Sequence, residues 1–199
     1  LKATLPIYSD LKHENLIELI ETKEIGDGFA MVFKWVDGDC MGRMYPTAHR
    51  RFMQLPINDR LAVFSDILSF LECVALRNYV AIDFYDGSIM YDFSNGKTTI
   101  CDIDLFRKQP CVNDMGHMWG SSRFQSPEEY QLGSDIDEIT NVYTLGATAF
   151  ALFGEYNRTR DKWQLSDKLF EIATRAVSDD RAHRQQTIRQ FKAEWEAAQ

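Results

Sequence analysis

Five aspartates fall within AIDFYDGSIMYDFSNGKTTICDID, residues 81–104, among alternating apolar residues that turn back at an Asn-Gly. Carboxylates gathered at one end of a hairpin have two kinds of chemistry open to them. Hard oxygens suit Mg²⁺, which prefers one or two carboxylates plus waters and substrate phosphates to a closed protein cage. A carboxylate beside such a site, here Asp83, can act as a base toward a hydroxyl. Aspartates are also common at strand ends and turns simply because their side chains hydrogen-bond the local backbone.

The hairpin must place these groups. Ser88–Phe93 alternates as a strand does, Asn95-Gly96 is the signal for a two-residue type I′ turn, and Thr98–Ile103 returns. That register sets Ile89 opposite Asp102 and Ser88 opposite Ile103, which brings Asp83, Ser88, Asp102 and Asp104 to the same end.

Upstream, LIELIE and FAMVFKWV, joined at Gly26-Asp27-Gly28, predict a second hairpin ending at Asp37-Gly38. Leu61, Phe64, Ile67, Leu68, Leu71, Val74 and Ala75 recur at helical spacing, so a long amphipathic helix is expected there with Asn58 or Asp59 as its cap. RKQPCVNDMGHMWGSSRFQSPEEYQLGSD reads as a long loop, which in a compact domain is usually functional or mobile. Helices are expected at Ile139–Phe153, stopped by Gly154, at Ser166–Val177, and near Gln186–Ala198. Segregated strands and helices predict an α+β fold.

The chain has 199 residues, 45% of them hydrophobic, which suits one sizeable core or one large and one small subdomain. A net charge of −8 argues against a phosphate-tracking surface, so no nucleic-acid partner is expected. Cys40, Cys73, Cys101 and Cys111 show no C-x-x-C spacing, which predicts reduced cysteines, no zinc site and a cytoplasmic protein. VYTLGATAFALFG is too short for a membrane segment, and no signal peptide is read. His117 and Met115, and His49 with Arg43, Arg50 and Arg51, read as solvent-exposed polar surroundings.

The carboxylate hairpin resembles part of the protein kinase family. There the catalytic loop H-R-D-L-x-x-x-N is followed by a short hairpin and D-F-G; here A-I-D-F-Y-D-G-S, a hairpin and D-I-D stand in those places. The resemblance implies Asp83 as catalytic base, Asp102 as Mg²⁺ ligand and Ser88 at the second metal-binding position. GSSRFQSPEE resembles the G-T-x-x-Y-x-A-P-E that closes an activation segment, with Glu128 its final acid, and SDDRAHRQQT resembles the stretch whose arginine, here Arg184, pairs with that acid. NVYTLGATAFALFG is similar to the D-V-Y-S-L-G helix, with Asn141 in place of Asp.

LKHENLIELIE resembles the end of the family's regulatory helix, and AMVFKWVDGD its hinge. The hinge resemblance puts Phe33 at the gatekeeper position, the backbone of Lys34 and Val36 against adenine, Met90 beneath it and Asp39 toward the ribose. Residues 1–36 then correspond to a remnant of the N-lobe and 37–199 to a kinase C-lobe. Taken alone, the hinge stretch reads as a plain hydrophobic edge strand.

The departures limit what the resemblance implies. Ser88 is a poorer fixed ligand than Asn. Ala81-Ile82 replaces His-Arg, so no arginine there receives an activation-loop phosphate. Tyr85 replaces a lysine beside the transferring phosphate, and Asp104 replaces the glycine of D-F-G. No G-x-G-x-x-G loop, V-A-I-K lysine or helix glutamate precedes His13; LKATLPIYSDL reads as starting mid-helix, and those elements are expected upstream of Leu1.

The leading expectation is thus an enzyme: an ATP:Mg²⁺ phosphotransferase of the Ser/Thr protein kinase type, bacterial in style, with a protein substrate. A pseudokinase serving as a binding scaffold is the alternative from another class. A small-molecule kinase of the aminoglycoside or choline type is a third, against which the S-P-E segment and Arg184 argue.

Overall fold

The computed structural model describes all of residues 1–199 and is an α+β fold. A short helix α1, Leu5–Asp10, leads into a two-stranded antiparallel hairpin of β1, Leu19–Ile25, and β2, Gly28–Phe33. Almost all of β1 is exposed, while β2 is half-buried. Leu16 and Ile17, read as the start of that strand, instead lie parallel to the later strand residue Ile100, whose carbonyl accepts from Ile17 N at 2.8 Å.

Next come β3, Asp39–Cys40, and α2, Pro46–Met53. No apolar period marks α2 in the sequence, because only Ala48 and Phe52 of its residues are buried. Helix α3 spans Ile57–Leu76 and, contrary to expectation, is not capped by Asn58 or Asp59. It starts from an extended Pro56, and both polar residues lie inside its first turn, where Asp59 favours the helix dipole.

After β4, Tyr79–Val80, the carboxylate hairpin is built from β5, Ile89–Asp92, and β6, Lys97–Ile100. Its register differs from the expected one. Asp92 pairs with Lys97 and Ile89 with Ile100, across a four-residue connection, Phe93–Gly96. The Asp92 carboxylate explains the longer turn, because it accepts from Ser94 N at 2.8 Å, Asn95 N at 3.2 Å and Asn95 Nδ2 at 2.7 Å. Gly96 closes the turn at φ +64°. The shift is two residues, an even number, so each side chain keeps its face while Asp102 moves just past the paired strand. β3 adds to the other edge, giving the order β3–β5–β6.

The expected loop is held by small pieces: β7, Arg107–Lys108, on β4, and β8, Cys111–Val112, on β9, Asp135–Ile136. Buried Asn113 ties it further, donating to Gly116 and Glu128 carbonyls at 3.0 and 3.2 Å and accepting from Met115 N and Gly116 N. The remaining helices are α4, Glu138–Phe153, α5, Asp167–Ala176, and α6, Ile188–Ala198. Asp137 caps α4, accepting from Ile139 N at 2.9 Å, while Ser166 and Thr187 cap α5 and α6.

Helix α4 is the centre of the core, buried from Thr140 through Phe153. It can approach α5 closely because residue 146 is glycine: a Cβ there would sit 2.6 Å from that of Ala176. Trp195 of α6 packs among Phe64, Phe153, Trp163 and Phe191. The same hydrophobic core reaches Ile7, Tyr8 and Leu11. No helix is long and apolar enough to cross a membrane.

Candidate functional site

The segment leading to Asp83 is fixed from beneath. Asn141, fully buried in α4, accepts from Ala81 N at 2.8 Å and donates to the Tyr79 carbonyl at 3.0 Å. Both backbone groups are thereby satisfied in a place water cannot reach. Directly after this clamp the chain turns through Asp83, whose φ is +62°, and Asp102 across the hairpin has φ +57°. Left-handed backbone at two aspartates costs free energy that surrounding structure must hold in place, and such residues concentrate at working sites.

Neither the Asp83 nor the Asp102 carboxylate has a hydrogen-bond or ion-pair partner within the chain, although many other acids in the protein do. Asp83 is half-buried, and its pKa is pushed up to about 6, first by burial and then by the charge of Asp102. Asp102 is open to solvent on one side, yet the protein packed around it still raises its pKa, with Asp104 adding to the effect. Two unpaired, mutually repelling carboxylates form a place where a cation would be stabilised. This donor set fits Mg²⁺, which needs no more than one or two carboxylates. No group of three or more His, Cys, Asp or Glu side chains is arranged to hold a metal.

The other two oxygens expected here behave differently. Ser88 is fully buried, and its hydroxyl points at the Asp83 carbonyl at 3.5 Å. Its own carbonyl accepts from Cys101 N at 2.9 Å, locking the end of the hairpin next to Asp102. Asp104 accepts a hydrogen bond from Tyr8 of α1 at 3.0 Å. Burial and the charge of Asp104 raise the Tyr8 phenol far above its ordinary range, so it remains a donor.

The residues expected at a hinge are spread over three strands: Phe33 ends β2, Asp39 opens β3 and Met90 lies in β5. Phe33 is half-buried, its ring 5.2 Å from that of Tyr8. Lys34 N donates to the Glu18 carbonyl, whereas the Lys34 carbonyl and the Val36 backbone make no hydrogen bond in the chain. Val36 lines two cavities, one of about 250 Å³ with Lys34 and one of about 360 Å³ with Asp39. Met90 pairs with Cys40 and Thr99, and Asp39 pairs with Tyr91 and approaches Arg51 at 3.8 Å. Asp92 borders both cavities, placing them at the turn end of the hairpin, about 13–17 Å from Ser88 and Asp102 at the carboxylate end given the strand rise.

Glu128 and Arg184 form a two-bond ion pair at 2.7 and 2.9 Å, with the Arg184 side chain 0% and Glu128 4% exposed. Arg181 adds a third contact to Glu128 at 2.6 Å and bridges to Asp137. Burial alone would raise the Glu128 carboxyl, but hydrogen bonds and charge from Arg184, with Arg181 behind, hold it below its ordinary range. Glu129 beside it has no cation, accepts from Ser126 N and Oγ at 2.7 and 2.8 Å, and is pushed up to about 7 by burial.

One cluster was not anticipated from sequence. Asp86, three residues after Asp83, is buried and takes two hydrogen bonds of 3.0 Å from Arg123, with a third from the Tyr156 hydroxyl. The Arg123 guanidinium lies 4.5 Å from the centre of the Tyr156 ring, and the His49 ring packs on the same tyrosine with centroids 5.2 Å apart. His49 is therefore half-buried rather than solvent-exposed, because α2 lays it on Tyr156. Only the acid-rich stretch around Asp86 hinted at this cluster; its partners are 37 and 70 residues away. No protein-family model matches the chain.

Proposed function

We propose that the chain is a phosphotransferase of the eukaryotic-like protein kinase type, moving the γ-phosphate of ATP to a serine or threonine hydroxyl of a protein. In this reading residues 37–199 are a kinase C-lobe and 1–36 the last part of an N-lobe. The observation that carries it is the pair Asp83 and Asp102: two carboxylates without partners, both on left-handed backbone, at one end of a short hairpin. The Glu128–Arg184 pair and the unpaired Lys34 and Val36 backbone groups support it.

Asp102 would hold Mg²⁺, which when bound neutralises charge on the phosphates. Asp83, with a pKa of about 6, is mostly ionised at neutral pH and so can take the proton of the attacking hydroxyl. That hydroxyl oxygen forms a bond to the γ-phosphorus as the bond to the ADP oxygen breaks. Asn141 keeps Asp83 in place through Ala81 and Tyr79, so positioning supplies much of the rate.

A second reading, a pseudokinase that binds partners without turnover, is favoured by Ser88. Its hydroxyl is buried against the Asp83 carbonyl instead of facing outward beside Asp102. Phosphate transfer separates the two, and thermal unfolding of the chain with Mg²⁺-ATP tests the nucleotide site that transfer requires. A rise in melting temperature that needs Mg²⁺ and is lost in Asp102→Ala supports the phosphotransferase; no rise in the unaltered protein removes it.

A further inference from the structure

A cavity of about 700 Å³ opens between α2 and the turn that follows α4. Arg43, His49 and Arg50 line it from one side, with Gln54, and Glu155 and Tyr156 from the other. Neither arginine forms an ion pair; Arg50 gives one hydrogen bond to the Pro46 carbonyl at 3.3 Å, and Arg43 gives none. The whole chain carries 30 Asp and Glu against 22 Lys and Arg. Two guanidiniums facing a cavity with one carboxylate therefore run against its overall charge. Two unpaired cations on concave walls focus a positive potential into the space between them, and planar guanidinium donors fit carboxylate and phosphate oxygens in particular.

The inner wall is rigid. Glu155 and Tyr156 sit at φ +50° and +65°, held there while the Tyr156 hydroxyl reaches Asp86 and its ring carries Arg123. Burial lowers the His49 pKa, leaving the ring neutral at pH 7 and able to hydrogen-bond, not to add charge. The volume is that of a ligand cleft and far exceeds a single ion. Met44 and Tyr45, next to Arg43 in sequence, are 90% and 56% exposed, and a mix of Arg, Met and aromatic surface is typical of polypeptide contacts.

We propose that this cavity receives the carboxylate side chains of a polypeptide whose hydroxyl lies at Asp83. Its role in choosing substrates rests on the phosphotransferase reading, since Tyr156 links the cavity to Asp86 and so to the Asp83 turn. The binding itself does not. Glu155 is the opposing charge on the wall, so it sets how strongly acid is preferred.

The test is fluorescence anisotropy of a short labelled peptide with glutamates flanking one serine, compared with its glutamine and lysine counterparts, on the full chain without nucleotide. The glutamate peptide binds best, and added salt weakens it. Replacing both arginines, R43A with R50A, weakens binding about tenfold or more, as loss of two charge-assisted contacts requires. Glu155→Gln tightens it by about twofold to threefold through removal of one like charge. Preference for the lysine peptide, equal binding of the glutamine peptide, or no effect of the arginine pair overturns the proposal. Binding is read without phosphate transfer, so a failed transfer assay leaves this result standing, and the reverse also holds.

Discussion

Removing either member of the buried Glu128–Arg184 pair should unfold the protein more easily, and the two removals should not cost the same. Breaking a buried ion pair from one side costs about 3–5 kcal/mol, because the remaining charge is stranded. Glu128→Ala leaves Arg184, whose side chain is 0% exposed, with the Ser178 carbonyl at 2.7 Å and no carboxylate. Arg184→Ala leaves Glu128 with Arg181 at 2.6 Å and the Thr140 hydroxyl at 3.1 Å. The first change therefore belongs at the top of the range, about 5 kcal/mol, and the second near about 3. At roughly 2–4 °C per kcal/mol for a chain of this size, Tm falls by about 10–20 °C and 6–12 °C. Urea unfolding with thermal melts measures both. Glu128→Ala combined with Arg184→Met should recover part of the loss, since neither charge remains buried, and this variant keeps the test open if Glu128→Ala does not fold. An equal or reversed order of the single changes, or a double change costing their sum, means that no stranded buried charge sets the cost.

Asp102→Asn should lower the Asp83 pKa from about 6 without returning it to the ordinary carboxylate range, because burial is its larger cause and the Asp102 charge its second; carboxyl NMR titration reads this, and an unchanged value separates the two side chains. Glu129, raised to about 7 in the folded protein, holds a proton that the unfolded chain releases near its ordinary pKa. Its contribution to stability is complete below that ordinary value and is lost as pH rises through about 7, a change on the order of 3 kcal/mol. Glu129→Gln should flatten stability between about pH 4 and pH 7 in urea titrations; an unchanged slope rules the effect out.

The elements of the fold were legible where apolar residues repeat over several turns. Helices α3, α4, α5 and α6 follow that pattern, and Ser166, Gly154 and the Asp-rich turns mark ends that a short window of sequence displays. Helix α2 was not legible, because it buries only Ala48 and Phe52. Asn95-Gly96 alone points to a register two residues away from the observed one, because the Asp92 carboxylate organises a longer turn. At the candidate site, Asp83 and Asp102 stood out through their place around the hairpin. Their left-handed backbone and the contacts of Asp86 with Arg123 and Tyr156 depend on tertiary packing, which no local pattern records.

In the proposed phosphotransferase, Asp83 and Asp102 divide phosphate transfer between them as base and metal ligand. Transfer of labelled γ-phosphate from ATP to a serine peptide by the full-length protein, with Mg²⁺, tests it most directly. Asp102→Ala should abolish turnover, and Asp83→Ala should lower kcat by about 100-fold or more while leaving KM for ATP little changed. Turnover that survives both substitutions rules out that division of roles.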